Sequence, residues 1–179
     1  MKSNYLQGPN INLRAPEPSD LEFLYEIEND SSVWNFGNTL VPYSRFQIEQ
    51  YLLSVQHDIF SEKQLHLMIE TRTKGMHNQC IGTVDLFEYD PHHQRAGIGI
   101  VIIESEREKG FAAEALDLII DYGFNILKLH QLYCTISANN KKSLMLFEKK
   151  GFIPCGVKQD WRLEEGEWVD EIMLQLLKS

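Results

Sequence analysis

Polar and apolar positions alternate through Asn10-Ile11-Asn12-Leu13-Arg14, the period of a strand with one buried face. After Pro18-Ser19-Asp20, a helix-starting triplet, Leu21, Leu24 and Ile27 recur at helical spacing and give one apolar stripe. Ser44-Arg45-Phe46-Gln47 has capping-box form, in which a hydroxyl and a Gln three residues on satisfy each other's free backbone amides, and predicts a helix running to about Val55. Leu65 to Thr71 and Cys80 to Glu88 are β-rich runs that read as an antiparallel hairpin. A turn at Asp90-Pro91 leads to a third run, Arg95 to Ile103. Its end, Ile100-Val101-Ile102-Ile103, is apolar on both faces and belongs at the centre of a sheet. Helical spacing returns from residue 112 to about 127, then a strand over Leu132 to Ser137 and a short helix over Ser143 to Lys149 that Gly151 stops. Val157 to Leu163 and Trp168 to Leu177 flank Glu164-Glu165-Gly166-Glu167 as a closing hairpin. The order β-α-α-β-β-β-α-β-α-β-β predicts a mixed sheet with helices on both faces, in an α/β or α+β arrangement.

With 179 residues, 43% hydrophobic, and no repeat or linker, the chain reads as one domain over residues 1–179. Seventeen Lys and Arg against 26 Asp and Glu leave a net charge of −9, which argues against nucleic acid or an anionic membrane as partner. No apolar run approaches ~18 residues and the first residues lack the apolar stretch of a secretory signal, so a cytoplasmic protein is expected. Cys80, Cys134 and Cys155 are odd in number and widely spaced, which predicts neither a disulfide framework nor a metal site. His92-His93 follows Pro91 in what reads as a solvated turn.

The chemistry concentrates after the buried third run. Glu104-Ser105-Glu106-Arg107-Glu108-Lys109-Gly110-Phe111-Ala112 joins a strand to a helix through a glycine. The first amides of a helix have no intrahelical acceptors, and its dipole places about half a positive charge at them, so this junction suits an anion such as a diphosphate. Gly110 allows close backbone approach, Ala112 and Ala113 leave room, and Arg107 and Lys109 add cations. The segment has neither G-x-x-x-x-G-K-[ST] nor G-x-G-x-x-G, which speaks against mononucleotide and dinucleotide loops.

Arg107-Glu108-Lys109-Gly110-Phe111-Ala112 resembles the [Q/R]-x-x-G-x-[G/A] loop of the GNAT acyltransferases, the acetyl-CoA-dependent N-acetyltransferase family. Asn140-Lys141-Lys142-Ser143 followed by Leu146-Phe147-Glu148-Lys149-Lys150-Gly151-Phe152 resembles its second signature, N-x-x-S leading into L-Y-E-K-x-G-F. Gly166-Glu167-Trp168-Val169-Asp170 is similar to the closing hairpin of the branch that acetylates ribosomal-protein N-termini and spermidine, and residues 121–130 to the spermidine enzymes in particular. The resemblance implies a mostly antiparallel sheet of about seven strands and acetyl-CoA as cosubstrate, with no metal. It further implies that Arg107, Glu108, Lys109, Gly110, Phe111 and Ala112 wrap the coenzyme diphosphate. Ile100, Val101 and Ile102 would pair along the pantetheine, and Asn140, Lys142 and Ser143 would lie beside it; Asn at position 140 would equally cap a helix. A homodimer is an expectation by family analogy alone.

Acetyl transfer to an alkyl amine, whose pKa lies near ~10.4, needs a base to free the nitrogen and a proton for the departing thiolate. Asp85 and Glu88 are the candidate bases. The tyrosine that commonly gives the proton corresponds to Phe147, which has none to give; this leaves water, the amine proton or another hydroxyl such as Tyr133 to protonate the thiolate, or else a slow enzyme. Trp34 and Phe36 lie where the family builds its acceptor cleft. The acidic run and the fourth-strand Glu of the spermidine enzymes correspond to residues 34–39 and to Gly97. The acceptor therefore stays open among a polyamine or diamine, another small amine and a protein N-terminus, with a noncatalytic acyl-CoA-binding module as the rival from another class.

Overall fold

The computed structural model describes residues 5–30, 41–54, 59–72 and 78–178. Strand β1 (Ile11–Arg14) is followed by a 3-10 turn at Pro18–Asp20 and helix α1 (Leu21–Glu28), then α2 (Arg45–Ser54), the one-turn α3 (Ile59–Glu62) and β2 (Leu65–Thr71). Strands β3 (Cys80–Asp90) and β4 (Arg95–Ile102) lead through a second 3-10 turn, Glu104–Glu106, to α4 (Phe111–Asn125). Strand β5 (Gln131–Ser137), α5 (Lys141–Lys149), β6 (Ile153–Glu164) and β7 (Glu167–Leu177) complete the chain. The predicted order holds throughout, with α3 as an added turn too short to leave a period in the sequence. The α2 capping box is formed: Ser44 Oγ accepts from the Gln47 amide at 3.2 Å and Gln47 Oε1 from the Ser44 amide at 2.8 Å. Asp20 behaves differently from a helix cap. Its carboxylate takes both Arg14 guanidinium nitrogens, at 2.7 and 2.8 Å, and the Glu17 amide, so it ties β1 to the first turn.

One seven-stranded sheet runs β1-β2-β3-β4-β5-β7-β6, and every pairing is antiparallel except β4 with β5. The larger core packs α4 and α5 on one face against Leu67, Ile69, Val84, Leu86, Ile98 and Leu132, while Leu24 and Ile27 of α1 and Ile48 of α2 close on Met68 from the other. In α4 the buried Ala115, Leu116, Ile119 and Gly123 make one helical stripe, the spacing that seats a helix on a sheet.

The parallel pairing shapes the site. Only Arg95, Ala96 and Gly97 of β4 pair with Gln131, Leu132 and Tyr133 of β5. Beyond Gly97 and Tyr133, β4 continues to Ile102 alongside β3, and β5 continues to Ser137 alongside β7. The two strands diverge from that point as a wedge, each held by its antiparallel partner, and their facing backbone groups have no ladder between them.

Candidate active site

A cleft of about 510 Å³ fills the wedge on the α4 face. Its floor is residues 98–102 of β4 and 134–137 of β5, and its mouth is formed by Glu106, Arg107, Glu108, Gly110, Ala112 and Ala113 on one side and Asn140, Lys142 and Ser143 on the other. Gly110, at φ 88°, is the N-cap of α4, and a Cβ there would meet no atom within 4 Å. The first intrahelical bond runs from the Glu114 amide to the Gly110 carbonyl at 3.1 Å, so the amides of Phe111, Ala112 and Ala113 lie in the free first turn of the helix. Arg107 Nε donates to the Ile102 carbonyl at 2.9 Å, which folds the loop back on the end of β4. Asn140 Oδ1 accepts from the Ser143 amide at 3.1 Å, the capping role expected of it, and Lys142 bonds Glu108 across the mouth.

Most of the residues expected at a coenzyme site thus converge: Ile100, Val101, Ile102, Arg107, Glu108, Gly110, Ala112, Asn140, Lys142 and Ser143 all line the cleft. Lys109 and Phe111 do not. Lys109 pairs with Glu106 at 3.0 Å, and the Phe111 side chain packs on the main core. Phe147 lines the inner wall, 3% exposed, with its ring edge-on to Phe152 at 5.1 Å. Arg162 of β6 also reaches this wall, a contribution that no local pattern announces because the hairpin brings it from far along the chain.

The opposite face of the sheet carries the ionisable candidates. Tyr133, at the apex of the wedge, donates its hydroxyl to the Glu88 carboxylate, and burial together with that bond pushes the phenol's pKa well up. Glu88 owes its position to the irregularity of β3 between Phe87 and Asp90, where its own φ is 50°. The Phe87 ring lies over Gly97: a Cβ on that glycine would stand 2.2 Å from it, so the bare strand is what lets the ring close on the apex, edge-on to Tyr133 at 6.0 Å. A second cavity, of about 830 Å³, opens here between Glu88, Tyr89, Asp90, Arg95, Tyr133, Thr135 and the β6–β7 side. Thr135, two residues beyond Tyr133 on β5, lines both cavities.

Asp85 is a less exposed carboxylate than a bare strand face would give. His66 Nδ1 lies 2.5 Å from its Oδ1, and Gln64 Nε2 lies 3.3 Å from the same oxygen. Trp34 and Phe36 fall outside the described residues. His92 and His93 stand in the predicted turn, their amides bonded to Asp90 Oδ1. Cys80, Cys134 and Cys155 are free thiols, and the described residues contain no group of three or more His, Cys, Asp or Glu suited to a metal.

A strand wedge of this shape beside a glycine-started helix is matched at the level of whole sequences. Residues 10–153 fit the family model described as "Acetyltransferase (GNAT) domain". The chain belongs to the GNAT acetyltransferase family. Among curated proteins, the spermidine N(1)-acetyltransferase of Vibrio cholerae serotype O1 is 29% identical over 170 residues, 94% of each chain. The crystal structure of a spermidine N-acetyltransferase from Vibrio cholerae in complex with CoA and spermine superposes with a TM-score of 0.82 at 28% identity, covering 95% of this chain and 96% of that one. A dodecameric structure of spermidine N-acetyltransferase from Vibrio cholerae in an intermediate state gives 0.77 at 29% identity, over 95% of each. As a GNAT enzyme the chain is an acetyl-CoA-dependent N-acetyltransferase. No helix among the described residues is long and apolar enough to cross a membrane.

Proposed function

We propose that the chain acetylates a primary amine of a polyamine or diamine, entering from the Glu88 face while the coenzyme enters from the α4 face. The observation that carries this is that the two cavities share Thr135 as a lining residue, beside the apex formed by Gly97 and Tyr133. The bound coenzyme supplies an activated acetyl thioester. The wedge fits it: residues 98–102 offer a strand edge with unpaired backbone groups to the pantetheine, and the Gly110 loop and the first turn of α4 offer amides and open space to the diphosphate. Asn140, Lys142 and Ser143 flank the arm from the other side.

The remaining chemistry falls to this chain's own groups. Tyr133 stays protonated because burial and the Glu88 carboxylate both oppose its ionisation, so it is a proton donor held at the apex. Phe147 is packed edge-on against Phe152 and takes no part in proton transfer. The cavity carries Glu88 and Asp90 beside Lys63, Arg95 and Lys158, so the preference for a cationic acceptor is supported by the net charge of −9 and not by the lining itself. The named relatives, which act on spermidine, support the same class.

The test is coenzyme release from acetyl-CoA with spermidine, spermine, a simple diamine, and peptides with free N-termini. Polyamine turnover with inert peptides supports the proposal. The reverse pattern replaces it with a protein N-terminal enzyme, and tight acetyl-CoA binding without turnover on any amine replaces it with a binding module. We further propose that copies associate through the β6–β7 hairpin, whose Val157, Trp161, Leu163 and Trp168 are each about 60% exposed. Mass by light scattering, before and after Trp161→Glu, tests that association. Acetyl-CoA dependence and three free thiols suit a reducing cytoplasm.

A further inference from the structure

One carboxylate joins the start of the chain to the coenzyme helix. Residues 6–8 fold back on residues 11–13 through a turn at Pro9-Asn10: the Gly8 amide donates to the Ile11 carbonyl and the Leu13 amide to the Leu6 carbonyl, each at 2.8 Å. Glu114, in the first turn of α4, accepts three N–H groups from this turn. Its Oε1 takes the Asn10 amide at 2.8 Å and the Ile11 amide at 3.1 Å, and its Oε2 takes Asn10 Nδ2 at 2.9 Å. Arg72, just past β2, holds the same turn from the sheet side. Its amide donates to the Asn10 carbonyl at 2.7 Å, and its guanidinium to the Gly8 carbonyl. The turn thus connects the β1–β2 side of the sheet to the residue whose own amide closes the first turn of α4 on the Gly110 carbonyl.

We infer that Glu114 is a positioning residue for the coenzyme: by clamping the 8–11 turn it fixes the first turn of α4 against the sheet and so aims the Phe111, Ala112 and Ala113 amides into the cleft. This rests on the coenzyme placement proposed above. Glu114 itself does not line the cleft, whereas Gly110, Ala112 and Ala113 do. Ala115, Leu116 and Ile119 seat α4 on the core, but apolar contact is non-directional and lets a helix slide or rotate a little on its bed. Three charge-assisted bonds to one carboxylate are directional, and they remove that freedom at the end of the helix where the amides are free.

The surroundings are shaped for this contact. Gly8 is bare where the carboxylate lies: a Cβ there would stand well inside contact distance of Glu114 Oε1 and 3.2 Å from the Ile11 carbonyl. A role through charge alone and a role as a clamp also differ in sign. A carboxylate near the helix end opposes a bound diphosphate, so if charge were what counts, removing it would tighten acetyl-CoA. If Glu114 is a clamp, its loss loosens the first turn and weakens acetyl-CoA in spite of the repulsion removed. The sequence reading passed over Glu114 because the groups it holds lie 103 and 104 residues away along the chain.

The test is acetyl-CoA affinity by titration calorimetry at room temperature on the full chain, with steady-state kinetics on spermidine, for the wild type, Glu114→Gln and Gly8→Ala. Glu114→Gln removes the charge and turns an amide donor toward Asn10 Nδ2, while Gly8→Ala keeps the charge and pushes the carboxylate off its donors. Both variants should raise Kd and KM for acetyl-CoA about tenfold, roughly one charge-assisted bond to the diphosphate, with kcat at saturating coenzyme and KM for spermidine within about twofold. Asn10→Ala takes away the donor that faces the new amide, so it should recover part of the loss in Glu114→Gln. Unchanged acetyl-CoA affinity in both variants, even with a lower Tm, would make the contact structural only and overturn the inference. Tighter binding by Glu114→Gln would overturn it as well. Gly110→Val distinguishes the underlying placement: if that variant also binds acetyl-CoA as the wild type does, the coenzyme is not in the loop and both readings fall. The calorimetric arm needs no acceptor, so it stands whichever amine the enzyme takes.

Discussion

Gly110→Val separates the coenzyme loop's backbone from its packing. At φ 88° the residue occupies the left-handed region, where a side chain costs about 1–2 kcal/mol. No atom lies within 4 Å of a Cβ at this position, so steric overlap adds nothing to that cost in the free protein. For a chain of 179 residues each kcal/mol is worth about 2–4 °C, so Tm should fall by about 2–8 °C. The same open space is where a coenzyme diphosphate would approach the first turn of α4. Acetyl-CoA at one hundred times its Kd should add about 2.7 kcal/mol, or about 5–11 °C, to the wild type and nothing resolvable to the variant. Differential scanning fluorimetry with an acetyl-CoA titration reads both numbers. A variant that melts lower yet keeps the full coenzyme shift would refute the loop assignment. Loss of the shift with Tm unchanged would refute the conformational argument and leave the binding one standing.

Three further outcomes follow from contacts described above. Gly97→Ala should destabilise by about 1–3 kcal/mol, since its Cβ would stand 2.2 Å from the Phe87 ring; in a double-mutant cycle by urea melts, Phe87→Ala should remove most of that cost, and strict additivity would show that the ring does not rest there. Tyr133→Phe should lower kcat by about 10²-fold with acetyl-CoA binding intact, and Phe147→Tyr should restore part of it only in that background; a Tyr133→Phe enzyme at full rate would remove Tyr133 as the donor. Burial raises the Asp20 carboxyl, but bonds from Arg14 and the Glu17 amide prevail and hold its pKa below the usual carboxylate range. Its contribution, about 2 kcal/mol, is therefore present above the unfolded value near ~3.9 and disappears as pH falls through the folded one. The stability gap between wild type and Asp20→Asn should be constant from pH 5 to 7 and shrink below about 4 in urea melts; a gap that persists at pH 2 would mean the pair is not what stabilises the turn.

What the sequence determined by itself is everything that depends on neighbours along the chain. A β-rich run placed β2 at Leu65–Thr71 to the residue, the Ser44 and Gln47 pair set the start of α2, and Gly110 before a helical stripe marked the turn into α4, because β-propensity, helix cap and left-handed glycine are local properties. The two signatures around Gly110 and Asn140 were legible for the same reason, and the structure brings them to opposite lips of one cleft. Tertiary structure decided the rest. That β4 and β5 pair for only three residues and then part is a compromise among strands far apart in sequence, each drawn to its own antiparallel partner. Which partners these carboxylates take was likewise decided across strands: Glu88 by a bulge that turns it to Tyr133, Asp85 by the histidine that its register places opposite. A hydrophobic pattern reports which face a side chain takes. Only the sheet order and the register, fixed by burial of the whole core, report what waits for it there.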